Sequence, residues 1–191
     1  MHKDLRKEFK STFLSTEKDI ITILTKLFAE NPHRDELLRL LIINNKDCLD
    51  DLENEEYKKM ISNLTITKLR EDGYIKLEPK LAFDEFPDVK NHIVISFDNF
   101  VPNATNPEFR DNTISFDIIC HTDYWDIGNC RLRPFKIMGI IDAMLNKSKL
   151  SGIGTLQFAG MNEIILDENL CGYCLMYTAT HGSDDEIPDE E

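Results

Sequence analysis

Two cysteine motifs contain the residues whose types and spacing are closest to those of a reactive site. The first is the run 120–123, "CHTD", which places a thiol, an imidazole and a carboxylate in consecutive positions. A cysteine nucleophile needs a base within hydrogen-bond reach, whereas neighbouring residues of a strand point to opposite faces. Cys120 also alternates with apolar residues at 114, 116 and 118. The pattern therefore predicts a buried structural thiol at Cys120 and a protein that is not an enzyme.

The second motif is the pair Cys171 and Cys174, spaced as C-x-x-C. Such a pair can hold zinc when it lies on a turn and a second ligand pair completes the site. Here the motif opens an alternating strand, and a second C-x-x-C or H-x-x-H is absent from the sequence. We therefore expect no metal and no cofactor. If a metal or thiol site exists, its ligands would be Cys171, Cys174 and His181.

The composition limits the partners of the chain. Its 191 residues carry a formal net charge of -13, which disfavours adhesion to nucleic acid or to anionic membranes. The sequence has no apolar run of about 18 residues that would span a membrane. The N-terminus has no apolar segment typical of a signal peptide. We therefore expect a protein that is made in the cytoplasm, has reduced cysteines and does not bind membranes.

The first 80 residues have mainly helical patterns. Apolar residues recur every three or four positions and predict helices at 16–30, 34–43 and 53–63. The pair Asp72-Gly73 between two apolar runs favours a hairpin at 65–78, although Gly73 also fits the end of a helix. With the preceding helices, a hairpin would give a winged-helix-like unit. The candidate recognition helix "NEEYKKMISN" is not basic, however, as a DNA-reading helix should be.

The pattern changes at about residue 91. Alternation predicts strands at 92–98 and 113–121, separated by a loop rich in Pro and Asn at 101–112. A helix at 134–147 and strands at 155–166 and 172–181 follow. This order predicts an α+β fold, with a mainly antiparallel sheet of four or more strands and one packed helix, preceded by N-terminal helices. The predicted divisions are an N-terminal region at 1–80, a sheet domain at 81–182 and a disordered acidic tail at 183–191.

The loop at 122–133, "TDYWDIGNCRLR", joins the second strand to the helix. It contains two large aromatic residues, Tyr124 and Trp125, and two arginines, Arg131 and Arg133. Exposed aromatic residues beside arginines are typical of protein interfaces. Trp125 fits equally well a residue that closes the core. The loop is therefore a candidate interface, and Pro134 begins the helix that follows.

Several runs together resemble a known family. These runs are "HIVISFDNFVPN", "RDNTISFDIICHTDYW", "LRPFKIMGIIDAMLN", "GTLQFAG" and "GYCLMYTATHG". Their pattern resembles the tail terminator and tail-completion proteins of tailed bacteriophages, and the neighbouring head-to-tail joining proteins. The resemblance covers about residues 90–182.

The resemblance implies a structural virion protein in the neck or tail. Such proteins form a ring, usually a hexamer, that stops growth of the tail tube and offers a docking surface to the head connector. The implied partners are further copies of the chain, the tail tube protein and the connector or stopper protein. Genomic DNA would pass through the ring without specific binding. A ring needs two different patches on each subunit, and we assign Phe100 and Arg110 to the second one.

Two other functions stay open at this point. A head-completion or stopper protein of the neck would form a similar ring on the other side of the joint. A cytoplasmic thiol or metal-binding enzyme would use the C-x-x-C cysteines.

Overall fold

The N-terminal helices precede a single larger sheet. A computed structural model of the chain describes residues 12–29, 31–49, 54–77, 91–106, 109–150 and 154–181. The helices are α1 (Thr12–Phe28), α2 (Arg34–Ile42), α3 (Glu55–Ser62), α4 (Ile66–Glu71) and α5 (Arg133–Leu145), with a 3-10 helix at Thr122–Tyr124. The strands are β1 (Ile75–Lys76), β2 (Asn91–Pro102), β3 (Arg110–His121), β4 (Lys149–Leu150), β5 (Gly154–Thr155), β6 (Gln157–Ile165) and β7 (Leu170–His181). The predicted α+β class is confirmed.

The main sheet has five strands in the order β1-β2-β3-β7-β6. Only β1 pairs in parallel, with β2, and the other neighbours are antiparallel. Strands β4 and β5 form a separate two-stranded ladder. In the centre of the sheet, Phe116 of β3 lies opposite Ile95 of β2 and Leu175 of β7. Because opposed residues share a face, these side chains form one apolar layer.

The helices cover that apolar layer. Helix α5 packs against β3 and β7, and α2 packs against β2 and α5. Buried side chains of α1, α2, α5 and the sheet belong to one continuous hydrophobic cluster. Buried residues from both sides of the predicted boundary at residue 80 therefore share a core. None of the helices in the described ranges has the length and apolar character needed to span a membrane.

The predicted hairpin at 65–78 is wrong. The segment forms helix α4, and the Thr65 side chain caps it by accepting a hydrogen bond from Lys68 N at 3.1 Å. Gly73 has a φ of 80°, a left-handed conformation that ends helices and favours glycine. Residues Ile75–Lys76 then join the main sheet beside β2. The winged-helix alternative consequently loses its hairpin.

The predicted loop at 101–112 is shorter than expected, because strands occupy both of its ends. Strand β2 continues to Pro102 and β3 begins at Arg110, so the two strands form a long arm that β7 accompanies as far as Arg110. A bulge interrupts their pairing between Asp98 and Val101. The predicted acidic tail at 183–191 lies outside the described residues.

Candidate functional site

The loop that follows β3 is fixed by its own hydrogen bonds. His121 caps the 3-10 helix, and its Nδ1 accepts a hydrogen bond from Asp123 N at 3.2 Å. Farther along, Arg131 donates from Nε to Gly128 O at 3.2 Å and from Nη2 to Ile127 O at 3.1 Å. Arg131 is therefore a partly exposed residue that also orders the loop from within.

Arg133 is buried, which corrects its assignment to the interface. Its side chain has no solvent exposure. The guanidinium donates to Tyr124 O at 2.7 Å, to Asn45 O at 2.8 Å and to Leu40 O. Leu40 is in the last turn of α2, where carbonyls have no helical partner and carry partial negative charge. Arg133 thus joins the loop to the N-terminal helices and is not available to a partner.

Aromatic side chains form a cluster beside the loop. The Trp125 ring lies 6.0 Å from the Tyr173 ring, and the Phe135 ring lies 5.0 Å from the same tyrosine. Trp125 Nε1 donates to Cys120 O at 3.3 Å, and its side chain packs against the core. Trp125 was interpreted either as an interface residue or as a residue that closes the core. It contacts the core and also remains partly exposed, so each interpretation describes part of its environment.

We call this region the loop-end surface and define it by the residues Tyr124, Trp125, Arg131, Leu132, Phe135 and Tyr173. Phe135 and Leu132 are 45% and 38% exposed, which is unusual for large apolar side chains. Neither residue was predicted from the sequence to be part of the candidate interface. The exposure of Phe135 could have been inferred from its position off the apolar stripe of α5.

The arm of β2 and β3 carries the second candidate surface. We call it the arm-end surface and define it by Phe100, Val101, Phe109 and Arg110. Val101 and Phe109 are 51% and 37% exposed, and Phe100 and Arg110 are partly buried. A hydrogen bond from Asn103 N to Phe109 O at 3.0 Å joins the two sides of the arm beyond the paired strands.

A hydrogen-bonded carboxylate holds the arm against β7. Asp111 accepts hydrogen bonds from Thr180 Oγ1 at 2.7 Å and from Asn103 Nδ2 at 3.0 Å. The bond from Thr180, followed by that from Asn103, lowers the pKa of Asp111. A polar cavity of about 320 Å³ lies beside these residues, with Thr155 and Gln157 on its wall. Its hydroxyl and amide lining contains a single carboxylate, which is too little for a metal site.

The two surfaces lie at opposite ends of the sheet. Arg110 begins β3, and the loop-end surface begins after His121, at the other end of the same strand. Eleven steps of about 3.4 Å separate these ends by roughly 37 Å. The structure therefore places the predicted residues in two separate groups, with Phe100 and Arg110 in one and Tyr124, Trp125 and Arg131 in the other.

The cysteines do not converge on a site. Burial raises the pKa of the Cys120 thiol to about 12, and burial and the hydrogen bond to Asp117 raise that of Cys174 to about 12. Cys171 and Cys174 lie three positions apart on β7 and so point to opposite faces. His181 is seven residues beyond Cys174, about 24 Å along the strand. Among the described residues, no three His, Cys, Asp or Glu side chains lie together as metal ligands.

One comparison with known proteins identifies the family. The YomW family model matches residues 35–179, which is most of the chain. The chain belongs to the YomW family. This family is derived from bacteriophage. The match begins in α2 and ends in β7, so helices α2 to α4 and the sheet belong to one family unit. A search of curated proteins found no match.

Proposed function

We propose that this YomW protein is a structural virion protein that forms a ring at the head-proximal end of a phage tail tube. The ring stops tube growth and provides the docking surface for the head connector. Catalysis has no part in this function. The observation that carries the proposal is the pair of surfaces at opposite ends of one sheet in a phage-derived protein.

The geometry supports a head-to-tail contact. A ring forms when a patch on one subunit binds a different patch on the next and the rotation closes. The arm-end surface lies at the end of the sheet where β2 and β3 are connected, whereas the loop-end surface is an aromatic cluster at the other end. Val101 and Phe109 can pack on Phe135, and the partly exposed Arg131 lies at the rim. Aromatic and arginine side chains are those enriched at the centres of protein interfaces.

The charge supports the same function. A net charge of -13 repels the phosphates of DNA. A ring through which the genome passes must not retain it, and an acidic lining meets that requirement.

The contact itself can be tested with two complementary variants. Arg110→Glu damages only the arm end, and Phe135→Asp damages only the loop end. Neither variant alone should form the ring, because one half of every head-to-tail contact is lost. An equal mixture should form a species larger than either variant alone, through the one intact pair of surfaces, but no ring. Met60→Asp, which changes a 45% exposed residue of α3 outside both surfaces, should assemble like the unmodified chain.

Two results would contradict the head-to-tail contact. One is assembly of either variant alone to the size of the unmodified protein. The other is a mixture that is no larger than either variant alone while both variants retain their folded circular dichroism spectra.

The place in the virion is tested by electron microscopy of a lysate from a phage with this gene disrupted. Overlong tail tubes beside DNA-filled, tailless heads are the expected result. Tails of normal length beside leaking or empty heads would move the protein to a head-completion role. Intact virions would refute an essential role in assembly.

A further inference from the structure

Strand β6 is an open edge of the main sheet that neither end surface uses. It has nine residues and lies outside β7, at the end of the strand order. Most of its residues are exposed on both faces. Phe158, Met161 and Ile165 are 51%, 41% and 69% exposed, respectively. Exposed apolar residues in this concentration mark a surface that binds another chain.

The apolar side chains of β6 lie on the same face of the sheet as α5. Phe158 pairs with Tyr177 and Met161 pairs with Leu175, so they point to the face of the sheet that α5 covers. Helix α5 reaches β7, where Asp142 accepts a hydrogen bond from Tyr177 at 2.8 Å. On the same side of the helix, a Cβ added at Gly139 would have no atom within 4 Å. The end of the helix contacts the start of β6, where Phe158 N donates to Asn146 Oδ1 at 3.3 Å, and the exposed side chains of Met161 and Ile165 show that the rest of the strand is left open.

The backbone of β6 also presents unpaired groups. Leu166 N donates to Leu170 O of β7 at 3.0 Å. Because backbone groups alternate in direction along an antiparallel strand, those of Met161, Glu163 and Ile165 point away from β7. The described residues place no strand on that side.

This edge lacks the features that normally prevent pairing. Proteins protect edge strands with Lys, Pro, bulges or several charges. The sequence of β6, "QFAGMNEII", has one charged residue, Glu163, and neither Lys nor Pro. Its bulge lies near the start, between Phe158 and Gly160. The other long edge, on β2, has a bulge after Asp98 and ends in Pro102, so it is the poorer partner.

We propose that β6 pairs with β6 of a second copy, antiparallel, about a two-fold axis at Asn162. In such a pair one residue must lie opposite its own copy. An axis at Glu163 would place two carboxylates directly opposite each other, which is destabilising. An axis at Asn162 places Met161 opposite Glu163 of the second copy and joins their outward backbone groups in about four hydrogen bonds. The two Asn162 amides then lie side by side.

The same register brings the apolar ends together. Ile165 of one copy lies next to Ala159 and Phe158 of the other, and both α5 helices stay on one face of a continuous sheet. The pair uses the side of each sheet and leaves both end surfaces open. The dimer and the ring therefore rest on different residues and can fail separately.

Cysteine scanning tests the register. The exposed Cys130 is first changed to Ser, and single cysteines are then placed at 161, 162 and 163 in purified protein treated with mild oxidant. Residues opposite each other in a non-hydrogen-bonded pair have Cα atoms about 4.5 Å apart, a distance that a disulfide can bridge. Copies of residue 161 or 163 would be about 7–8 Å apart. Asn162→Cys should therefore give the most covalent dimer on a non-reducing gel. A maximum at 161 or 163, or no covalent dimer at any position, would overturn the proposal.

A matched pair of edge variants tests the backbone contact. Glu163→Pro removes an N–H that points outward and leaves the bonds to β7 in place. Glu163→Ala removes the same carboxylate but keeps the N–H. Both changes are made in the Arg110→Glu chain, which lacks the head-to-tail contact. In sedimentation, the chain with Glu163→Pro should be monomeric and the chain with Glu163→Ala dimeric. Equal behaviour of the two variants would overturn the proposal. Failure of Arg110→Glu or Phe135→Asp to prevent the ring would bear on the proposed function and not on the β6 pairing.

Discussion

The buried guanidinium of Arg133 should be a principal source of stability. Arg133→Ala leaves three carbonyls without their donor, the buried one of Leu40 and the partly buried ones of Asn45 and Tyr124. Hydrogen bonds from a charged donor are worth about 1.5–3 kcal/mol each, and part of that sum is offset by the cost of burying the charge. The net loss in free energy of unfolding should be about 4 kcal/mol, because each carbonyl left without a donor costs about 1–3 kcal/mol.

Two further substitutions separate hydrogen bonding from packing. Arg133→Met keeps most of the side-chain volume but none of the donors, so it should be within about 1 kcal/mol of Arg133→Ala. Arg133→Lys keeps one charged donor group without the planar geometry and should lose about 2–3 kcal/mol.

Urea unfolding measures these losses through the fluorescence of Trp125, the only tryptophan of the chain. Arg131→Ala is the control, because Arg131 is partly exposed and donates to the Ile127 and Gly128 carbonyls of its own loop. Its loss should be about 1 kcal/mol or less. If Arg133→Ala is no less stable than this control, or if Arg133→Met restores full stability, the role assigned to the three hydrogen bonds is refuted.

Three other substitutions or reagents probe the core. Gly172→Ala should lower the free energy of unfolding by at least about 3 kcal/mol, because its Cβ would lie 1.7 Å from Ile118 O; an unchanged melting temperature would contradict this. Tyr177→Phe should cost about 1–2 kcal/mol in urea unfolding, since it removes the donor to Asp142, and a stabilised variant would refute the expectation. Among the described cysteines, Cys130 is the one exposed thiol. It should therefore be the first to react with a thiol reagent at pH 8. Mass spectrometry that finds a buried thiol labelled first would contradict the fold.

The sequence predicted elements whose local pattern agrees with their tertiary environment. Strand β3 alternates cleanly, so its buried face and the buried Cys120 thiol could both be predicted. Helix α5 was predicted within two residues at either end because Pro134 marks its start and one apolar stripe runs its length. The segment at 65–78 failed because Asp72-Gly73 suits both a hairpin turn and a helix end. What favours the helix over the hairpin is the cap at Thr65, whose side chain bonds to Lys68 N three residues later. That is a short signal in the sequence.

The candidate site was less predictable, because exposure depends on contacts distant in sequence. Arg131 and Arg133 look equivalent in the sequence. Arg133 is buried because α2, about 90 residues earlier, supplies carbonyls to it. The exposure of Phe135 depends on how far α5 reaches across the sheet. The open edge at β6 requires the strand order, which a single sequence does not contain.

The ladder between β3 and β7 has a consequence for the order of folding. Its register joins His121 to Leu170 and Arg110 to His181, so every pair closes a long loop of chain. The hairpins β2–β3 and β6–β7 close over short connections and pay less chain entropy. We therefore expect two preformed hairpins to dock in the step that limits the rate, with α5 carried between them. Until that docking, β7 is open on one side as well as β6 on the other, and the chain is most exposed to misassembly while it is being made.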